Sequence, residues 1–270
     1  MKKFNLFFIV SILLLSFSCK KNENVEPIVK EVEVAKTIQE HKISKGFKTS
    51  LEDVIRFVDL KNYSAVSFDH TLRGGLPYKT IINDLIKGSN FENGNKEYIY
   101  TGLADGKVAS SKESQAGQMI ADYSYSYDEV DGTIYELNHM YAGFTDKYTF
   151  KYNKDKKVIS YSKNQDEYKV SYSGNVVKVE QTKGADNEKA EFTYSNGLVV
   201  KADFRNIGDD ETRTFTYNKD KKLEKFVIKQ FSGSNIFLND EFVYKYSSDK
   251  VEVTYTDVAN GKKPVTKEVK

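Results

Sequence analysis

Aromatic and polar residues alternate along much of the second half of this 270-residue chain. Tyr123 and Tyr125 are followed by Ser124 and Ser126, and the alternation continues at 148–152, 168–172, 191–195, 215–217 and 242–246. Because successive side chains of a β-strand point to opposite faces, each segment predicts a strand with one aromatic and one polar face. The aromatic faces together predict one continuous apolar surface that has to be covered.

The turns between these segments repeat as well. The sequence Tyr-Asn-Lys-Asp-Lys-Lys occurs at 152–157 and again at 217–222, and shorter versions follow Tyr172, Tyr194 and Tyr246. The anchoring tyrosines are 20 to 29 residues apart, which is the length of one hairpin with its return connection. The sequence therefore predicts a mainly β fold, an antiparallel meander of hairpin repeats with about ten to fourteen strands that forms a curved sheet, half-barrel or barrel.

Two segments before the meander have a helical period. A helix is predicted over 51–60, with Ser50 and Asp53 at capping-box spacing, because its apolar residues follow the i, i+3, i+4, i+7 rule: Leu51, Val54, Ile55 and Val58. A second helix is predicted over 79–87, where four apolar residues are grouped, and split strands are the alternative there. We therefore expect one or two short N-terminal helices that lie across the aromatic face of the sheet.

The N-terminal residues have the features of a secretion signal. Two lysines precede the apolar run 6–15, which is too short to span a bilayer. The only cysteine, Cys19, follows this run and has the small residue Ser18 before it. This arrangement resembles the lipobox of bacterial lipoproteins, which implies that Cys19 is the site of lipid attachment. Ser16 stands where the usual lipobox has Leu, and an ordinary secretion signal with an incidental cysteine is the alternative.

These features divide the chain into segments. Residue Lys20 after the cysteine, in place of Asp, favours the outer membrane by resemblance to lipoprotein sorting rules. The predicted segments are a lipoprotein signal peptide over 1–18, a flexible tether over 19–48, a single β-rich domain over 49–257 and a C-terminal tail over 258–270. Within the domain, 49–95 is predicted to be a helical cap segment and 97–257 the β-meander.

The turn motif aromatic-x-Tyr-Asn-x-Asp-x-Lys-[Val/Leu] is similar to the YD-type repeats of large bacterial surface proteins. It more closely resembles Gram-negative envelope lipoproteins with degenerate YD-like hairpin repeats, a class of unknown function in which one group is described as porin-like. The resemblance covers about residues 120–257 and implies hairpin architecture without catalytic residues. The usual repeat has Gly where Lys156 and Lys221 stand, and a left-handed non-Gly residue costs about 1 kcal/mol or more, which favours a different turn type.

Motifs that would indicate catalysis or metal binding are weak. The segment 67–72 resembles the nucleophile motif of haloacid-dehalogenase-type phosphatases, but Ser67 stands at the position of the attacking Asp. The acidic cluster 209–211 is more typical of a solvated hairpin loop than of a Ca²⁺ site. The three histidines have no metal-ligand spacing: His41, His70 and His139. We therefore expect no catalytic residue, no metal site and no cofactor.

The charge of the chain limits its partners. The 41 basic and 39 acidic residues give a net charge of +2, which is too balanced for a nucleic-acid binder. We expect a monomeric lipoprotein of the outer membrane, anchored through Cys19 on the periplasmic or the surface-exposed face. It is expected to be non-enzymatic and to bind or scaffold an envelope protein, lipid or glycan. The alternatives are a half-barrel carrier of an apolar ligand or lipid, and an enzyme whose carboxylates converge only in the fold.

Overall fold

The computed structural model describes residues 45–64, 67–73, 76–83, 86–87, 92–102, 107–248 and 250–269. The predicted signal peptide, Cys19 and nearly all of the predicted tether lie outside these residues. The helices are α1 (Lys45–Val58) and a 3-10 helix (Leu60–Ser64). The strands are β1 (Ser67–Arg73), β2 (Leu76–Asn83), β3 (Ile86–Lys87), β4 (Glu92–Asn93), β5 (Lys96–Gly102), β6 (Val108–Gln115), β7 (Gln118–Tyr127), β8 (Ile134–Tyr141), β9 (Phe144–Tyr152), β10 (Val158–Lys163), β11 (Asp166–Ser173), β12 (Val176–Lys183), β13 (Lys189–Ser195), β14 (Leu198–Arg205), β15 (Asp210–Tyr217), β16 (Leu223–Ser232), β17 (Asn235–Tyr246), β18 (Val251–Asp257) and β19 (Val265–Val269).

Seventeen of the described strands form one antiparallel sheet in which each strand pairs with its neighbour in the chain. Strands β3 and β4 pair only with each other, as a hairpin between β2 and β5. Within the described residues the sheet is open and has β1 and β19 as its edges, because β1 pairs only with β2 and β19 only with β18. The predicted antiparallel meander is confirmed, and its strand number exceeds the expected ten to fourteen. The segment that the sequence marked as a C-terminal tail contains β19, which pairs with β18.

The aromatic side of the sheet forms the core, as the alternation predicts. Tyr123 and Tyr125 of β7 are buried, whereas Ser124 and Ser126, which alternate with them, are only half-buried. Inner-face rings stack across neighbouring strands, for example Tyr161 of β10 on Tyr168 of β11 with centroids 4.5 Å apart. We call this aromatic side the inner face and the opposite side the outer face. The apolar area removed from water on the inner face is the main favourable contribution to folding.

The helix α1 covers the inner face. Its buried residues share one side of the helix: Leu51, Val54, Ile55 and Phe57. The ring centroids of Phe57 and Tyr161 are 5.0 Å apart. Tyr63 of the 3-10 helix stacks on Phe192, with ring centroids 4.4 Å apart. Residues 45–50 are already helical, so Ser50 lies within the helix and the predicted cap is wrong. Apolar spacing identifies the residues that need burial, and it does not mark where the backbone hydrogen bonds begin.

The second predicted helix, over 79–87, is wrong, and the described residues of this segment form split strands, which was the alternative. Residues 76–83 form β2, which pairs with β1 on one side and with β5 on the other. Ile81 lies opposite both Asp69 and Glu97 in these pairings. Two flanking strands therefore satisfy the backbone of this segment, and this tertiary pairing outweighs the local helical pattern. In the described part of the chain, no helix has the length and apolarity needed to cross a bilayer.

The sheet is strongly curved. Lys96 on β5 lies 2.8 Å from Asp59, and Glu211 on β15 lies 3.6 Å from Lys61. In a flat sheet β5 and β15 would be about 48 Å apart, because ten strand spacings separate them. Two residues with extended side chains reach only about 20 Å. The sheet must therefore curl around the segment 59–61 that follows α1, because this segment links two distant strands.

The two Lys-rich turns have the same conformation. In the first, the side-chain oxygen of Asn153 accepts hydrogen bonds from the N–H groups of Asp155 and Lys157, both at 3.0 Å. The second turn repeats these bonds around Asn218 at 2.9 and 3.0 Å. Lys156 and Lys221 have φ values of 57° and 61°, so both lysines adopt the left-handed conformation that favours Gly.

Candidate functional site

Six charged residues meet on the inner face and form what we call the interior charge cluster. Its members come from the segment after α1 and from strands β5, β6 and β15: Asp59, Lys61, Lys96, Glu113, Glu211 and Arg213. Three acids and three bases give it no net charge. Charges on an otherwise apolar face are costly unless they are paired, so their partners decide what the cluster can do.

One half of the cluster joins α1 to the N-terminal strands. The Lys96 ammonium lies 2.8 Å from Asp59 Oδ2 and 3.7 Å from Glu113 Oε1. The N–H of Lys61 also donates to Asp59 Oδ1 at 3.0 Å. Tyr123 on β7 donates its hydroxyl hydrogen to Glu113. A single ammonium therefore bridges two carboxylates that come from different elements.

The other half joins the same segment to the C-terminal strands. Arg213 Nε donates to Glu211 Oε1 at 2.5 Å, and each of these two side chains is only 2% exposed. Gln230 on β16 donates to Glu211 Oε2 at 2.9 Å, and Lys61 lies 3.6 Å from the same oxygen. The Arg213 guanidinium lies 5.4 Å from the centroid of the Phe204 ring. Glu211 is thus held by three different side chains.

Two carboxylates of the cluster, Asp59 and Glu211, have lowered pKa values and are ionised at pH 7. Burial raises the pKa of Asp59, but the charge of Lys96 and the hydrogen bonds from Lys96 and Lys61 together outweigh it, so the net pKa is lowered. Burial likewise raises the pKa of Glu211, and Arg213 together with Gln230 brings it below its usual value. Burial also raises the pKa of Tyr123 far above the usual value of a phenol. None of these three groups has a pKa near 7, where general acid–base catalysis is most effective.

A histidine and a carboxylate face each other beside this cluster. His139 on β8 lies opposite Asp146 on β9, and its ring stacks between Tyr123 at 4.7 Å and Tyr141 at 4.6 Å. Burial lowers the pKa of His139 to about 4, so the imidazole is neutral at pH 7. Its Nδ1 has no hydrogen-bond partner among the described residues. The pair therefore lacks the Nδ1 hydrogen bond through which a carboxylate orients a catalytic histidine.

Asp146 is instead held by groups from the neighbouring hairpin. Asn164 donates to its Oδ1 at 2.7 Å, Tyr141 donates to its Oδ2 at 3.2 Å, and Lys163 lies 3.3 Å from Oδ2. Burial raises the pKa of Asp146, but Asn164 and Lys163 outweigh it and the pKa is lowered. Three side chains therefore bind this carboxylate, from β8, from β10 and from the turn after β10.

The residues considered from sequence fall in different places. Cys19 and His41 lie outside the described residues, and His70 lies in β1. The acidic cluster 209–211 is divided, because Glu211 belongs to the interior charge cluster while Asp210 accepts a hydrogen bond from the N–H of Asn206 at 2.8 Å. Among the described residues, no three His, Cys, Asp or Glu side chains converge as a metal-binding group.

The interior charge cluster was not predicted from sequence, although one signal was present. Glu211 and Arg213 occupy every second position of β15, on the same face of the strand as the buried Phe215. The period that places Phe215 on the inner face therefore places both charges there as well. A charged residue in the aromatic phase of a strand is the signal that could have identified this half of the cluster.

Comparison with family models found no match, and comparison with curated proteins found none either. Among solved structures, the chain is similar to part of the Tc holotoxin pore of Photorhabdus luminescens, with 10% sequence identity and a TM-score of 0.24. The similarity covers 66% of this chain and 14% of that chain. The chain therefore spans about a seventh of the length of that protein. A TM-score this low does not establish a shared fold.

Proposed function

We propose that the chain is a non-enzymatic β-repeat scaffold of the cell envelope. Lipid on Cys19 anchors it in the outer membrane, and the β-domain binds another envelope component there. The short apolar run before a cysteine with a small preceding residue supports the anchor. The open sheet of hairpin repeats supports a scaffold, because such a sheet offers a long surface with many equivalent strands.

The observation that carries the proposal is the occupation of the inner face by the protein itself. Side chains of α1 and of the 3-10 helix are buried against the sheet, with Val54 at 0% and Tyr63 at 6% exposure. A carrier of an apolar ligand would need this aromatic face for its cargo. The helix instead takes the position that the carrier alternative assigns to the ligand.

The enzyme alternative is also weakly supported. It requires carboxylates or a histidine–acid pair that can exchange protons near neutral pH. Asp59 and Glu211 have lowered pKa values and are held by cations and by hydrogen bonds. Such pairs fit a structural link between two arms of the curved sheet, the β5–β6 arm and the β15–β16 arm, better than they fit a reacting group.

The anchor is tested by metabolic labelling of the full chain with radioactive palmitate. The wild-type protein is expected to incorporate label and to enter the detergent phase on phase separation, whereas Cys19→Ser should do neither. Ser18→Ala is the matched control, because it keeps a small residue before the cysteine and should still be labelled. Equal labelling of wild type and Cys19→Ser would remove the lipoprotein part of the proposal.

The scaffold role is tested by crosslinking in intact envelopes. The wild-type chain is expected to give a discrete crosslinked product with an envelope component, and Cys19→Ser should give much less of it because it is released from the membrane. Recovery of self-crosslinked chain alone would contradict the scaffold role without affecting the result of the labelling experiment.

A further inference from the structure

The outer face of the sheet is covered by ion pairs between neighbouring strands. Lys147 pairs with Glu136 at 2.8 Å, and Lys178 pairs with Glu191 at 2.7 Å. Further pairs of this kind are Lys183–Glu167, Lys189–Glu180, Lys225–Glu241 and Lys250–Glu268. These partners lie opposite each other or diagonally in the register, where opposite charges attract. Most of this face is therefore balanced in charge.

One row of residues across strands β9, β10 and β11 lacks such a pair. Ser160 lies opposite Lys151 on one side and opposite Lys169 on the other, so the register gives a Lys–Ser–Lys row across three strands. Both lysines are exposed, and neither forms an ion pair with any described residue. Glu180, which lies opposite Lys169 on β12, is bound by Lys189 at 3.8 Å. The row therefore carries two positive charges without paired carboxylates.

Hydroxyl groups lie next to this row. Thr149 and Ser162 lie opposite each other, two residues along the strands from the Lys151–Ser160 pair, and their hydroxyl oxygens are 2.6 Å apart. Together with the Lys–Ser–Lys row they line a groove of about 680 Å³ on the outer face, which we call the lysine–serine groove. Its other edge includes Glu167, which is paired with Lys183 at 3.0 Å. The charged residues that line the groove are three lysines and one glutamate, so the lining has a net charge of +2: Lys151, Lys169, Lys183 and Glu167.

We propose that the lysine–serine groove binds an anionic saccharide, one that carries carboxylate or phosphate groups. The two ammonium groups supply charge complementarity, and the backbones that bear them are about 10 Å apart, which leaves room for a sugar ring between them. The hydroxyls of Ser160, Thr149 and Ser162 can each donate and accept hydrogen bonds, as sugar hydroxyls require. The volume lies within the range of small-molecule sites.

An apolar ligand does not fit this groove. The aromatic residues that contribute to its lining, Tyr161 and Tyr168, are buried with their rings on the inner face. The exposed lining consists of lysines, hydroxyls, amides and one paired carboxylate. This site goes beyond the proposed scaffold role, and it does not depend on the lipid anchor.

The proposal is tested by calorimetric titration of the full chain in detergent at about 150 mM salt. The probes are tetragalacturonate, the neutral tetrasaccharide maltotetraose, and inorganic phosphate. Tetragalacturonate is expected to bind, while maltotetraose and phosphate should bind at least tenfold more weakly. Lys151→Ala and Lys169→Ala should each weaken tetragalacturonate binding by about threefold to fivefold, as expected for an exposed ion pair, and together by about tenfold or more.

Matched controls separate the groove from general charge effects. Lys178→Ala and Lys225→Ala remove lysines of the same face that are already paired with glutamates, at 2.7 Å in both cases, and should leave the affinity unchanged. Ser160→Ala keeps every charge and should lower the affinity for tetragalacturonate but not for phosphate. Three results would each overturn the proposal. In the first, maltotetraose binds as tightly as tetragalacturonate. In the second, phosphate binds as tightly as tetragalacturonate. In the third, Lys178→Ala or Lys225→Ala lowers the affinity for tetragalacturonate as much as Lys151→Ala and Lys169→Ala do. Unchanged circular dichroism spectra exclude misfolding as the cause of a loss.

Discussion

Replacing Glu211 by Gln removes one charge from the most buried part of the interior charge cluster. The Glu211 and Arg213 side chains are each 2% exposed, and the carboxylate also accepts from Gln230 and lies near Lys61. Removal of one partner of a buried ion pair costs about 3–5 kcal/mol, because the remaining charge stays desolvated without its counter-charge. For a domain of this size the melting temperature falls by about 2–4 °C per kcal/mol, so a decrease of about 6–20 °C is expected.

Urea unfolding followed by tyrosine fluorescence measures this loss, since the chain has 19 Tyr and no Trp. Glu191→Gln is the matched control, because it breaks an exposed pair with Lys178 at 2.7 Å and should leave the urea midpoint nearly unchanged. The double variant Glu211→Met with Arg213→Met removes both charges and should recover most of the stability lost in Glu211→Gln. A loss of under about 1 kcal/mol in Glu211→Gln would refute the view that the cluster joins the two arms of the sheet.

The pH dependence gives an independent check on the same residue. The pKa of Glu211 is lowered in the folded protein from a usual value of 4.5. Its carboxylate therefore contributes stability that is present above pH 4.5 and is lost as the pH falls through the lowered pKa. The stability of wild type should accordingly decrease more steeply below pH 4.5 than that of Glu211→Gln, and parallel curves would contradict this assignment.

Two further predictions concern a turn and the stacked histidine. Lys221 has a φ of 61°, a left-handed conformation that is strained for a residue with a side chain. Lys221→Gly should raise the free energy of unfolding by about 0.5–1 kcal/mol. Relief of the backbone strain contributes about 1–2 kcal/mol, which exceeds the cost of the added conformational entropy of glycine in the unfolded chain. Lys219→Gly in the same turn should give no gain in urea unfolding, and an equal effect of both changes would argue against left-handed strain. Burial lowers the pKa of His139 from 6.5 to about 4. Between pH 6.5 and 4 the imidazole is therefore protonated in the unfolded chain and neutral in the folded protein, so the free energy of unfolding decreases as the pH falls through this range. His139→Phe should show a smaller difference in urea midpoint between pH 7 and pH 5, and an unchanged difference would exclude His139 as its source.

The strands and their faces were accessible from sequence because both depend on neighbouring residues. Tyr123, Tyr125 and the polar residues between them specify an inner and an outer face without reference to any other strand. The Asn153 and Asn218 turns are equally local, since each asparagine bonds N–H groups two and four residues ahead. The helix over 79–87 was mispredicted for the opposite reason, because pairing with β1 and β5 decides that segment.

The interior charge cluster and the lysine–serine groove depend on the arrangement of strands. Glu211 and Lys61 are 150 positions apart in the chain and meet only because the sheet curls around α1. The row formed by Lys151, Ser160 and Lys169 exists only at the observed register, since a slip of one residue would turn the side chains to the inner face. By itself the sequence determined that the chain forms an antiparallel aromatic-faced meander, because strand period and turn chemistry are local. Only the tertiary structure decided which charges meet and which remain unpaired, because curvature accumulates over many strands and pairs residues that are distant in the chain.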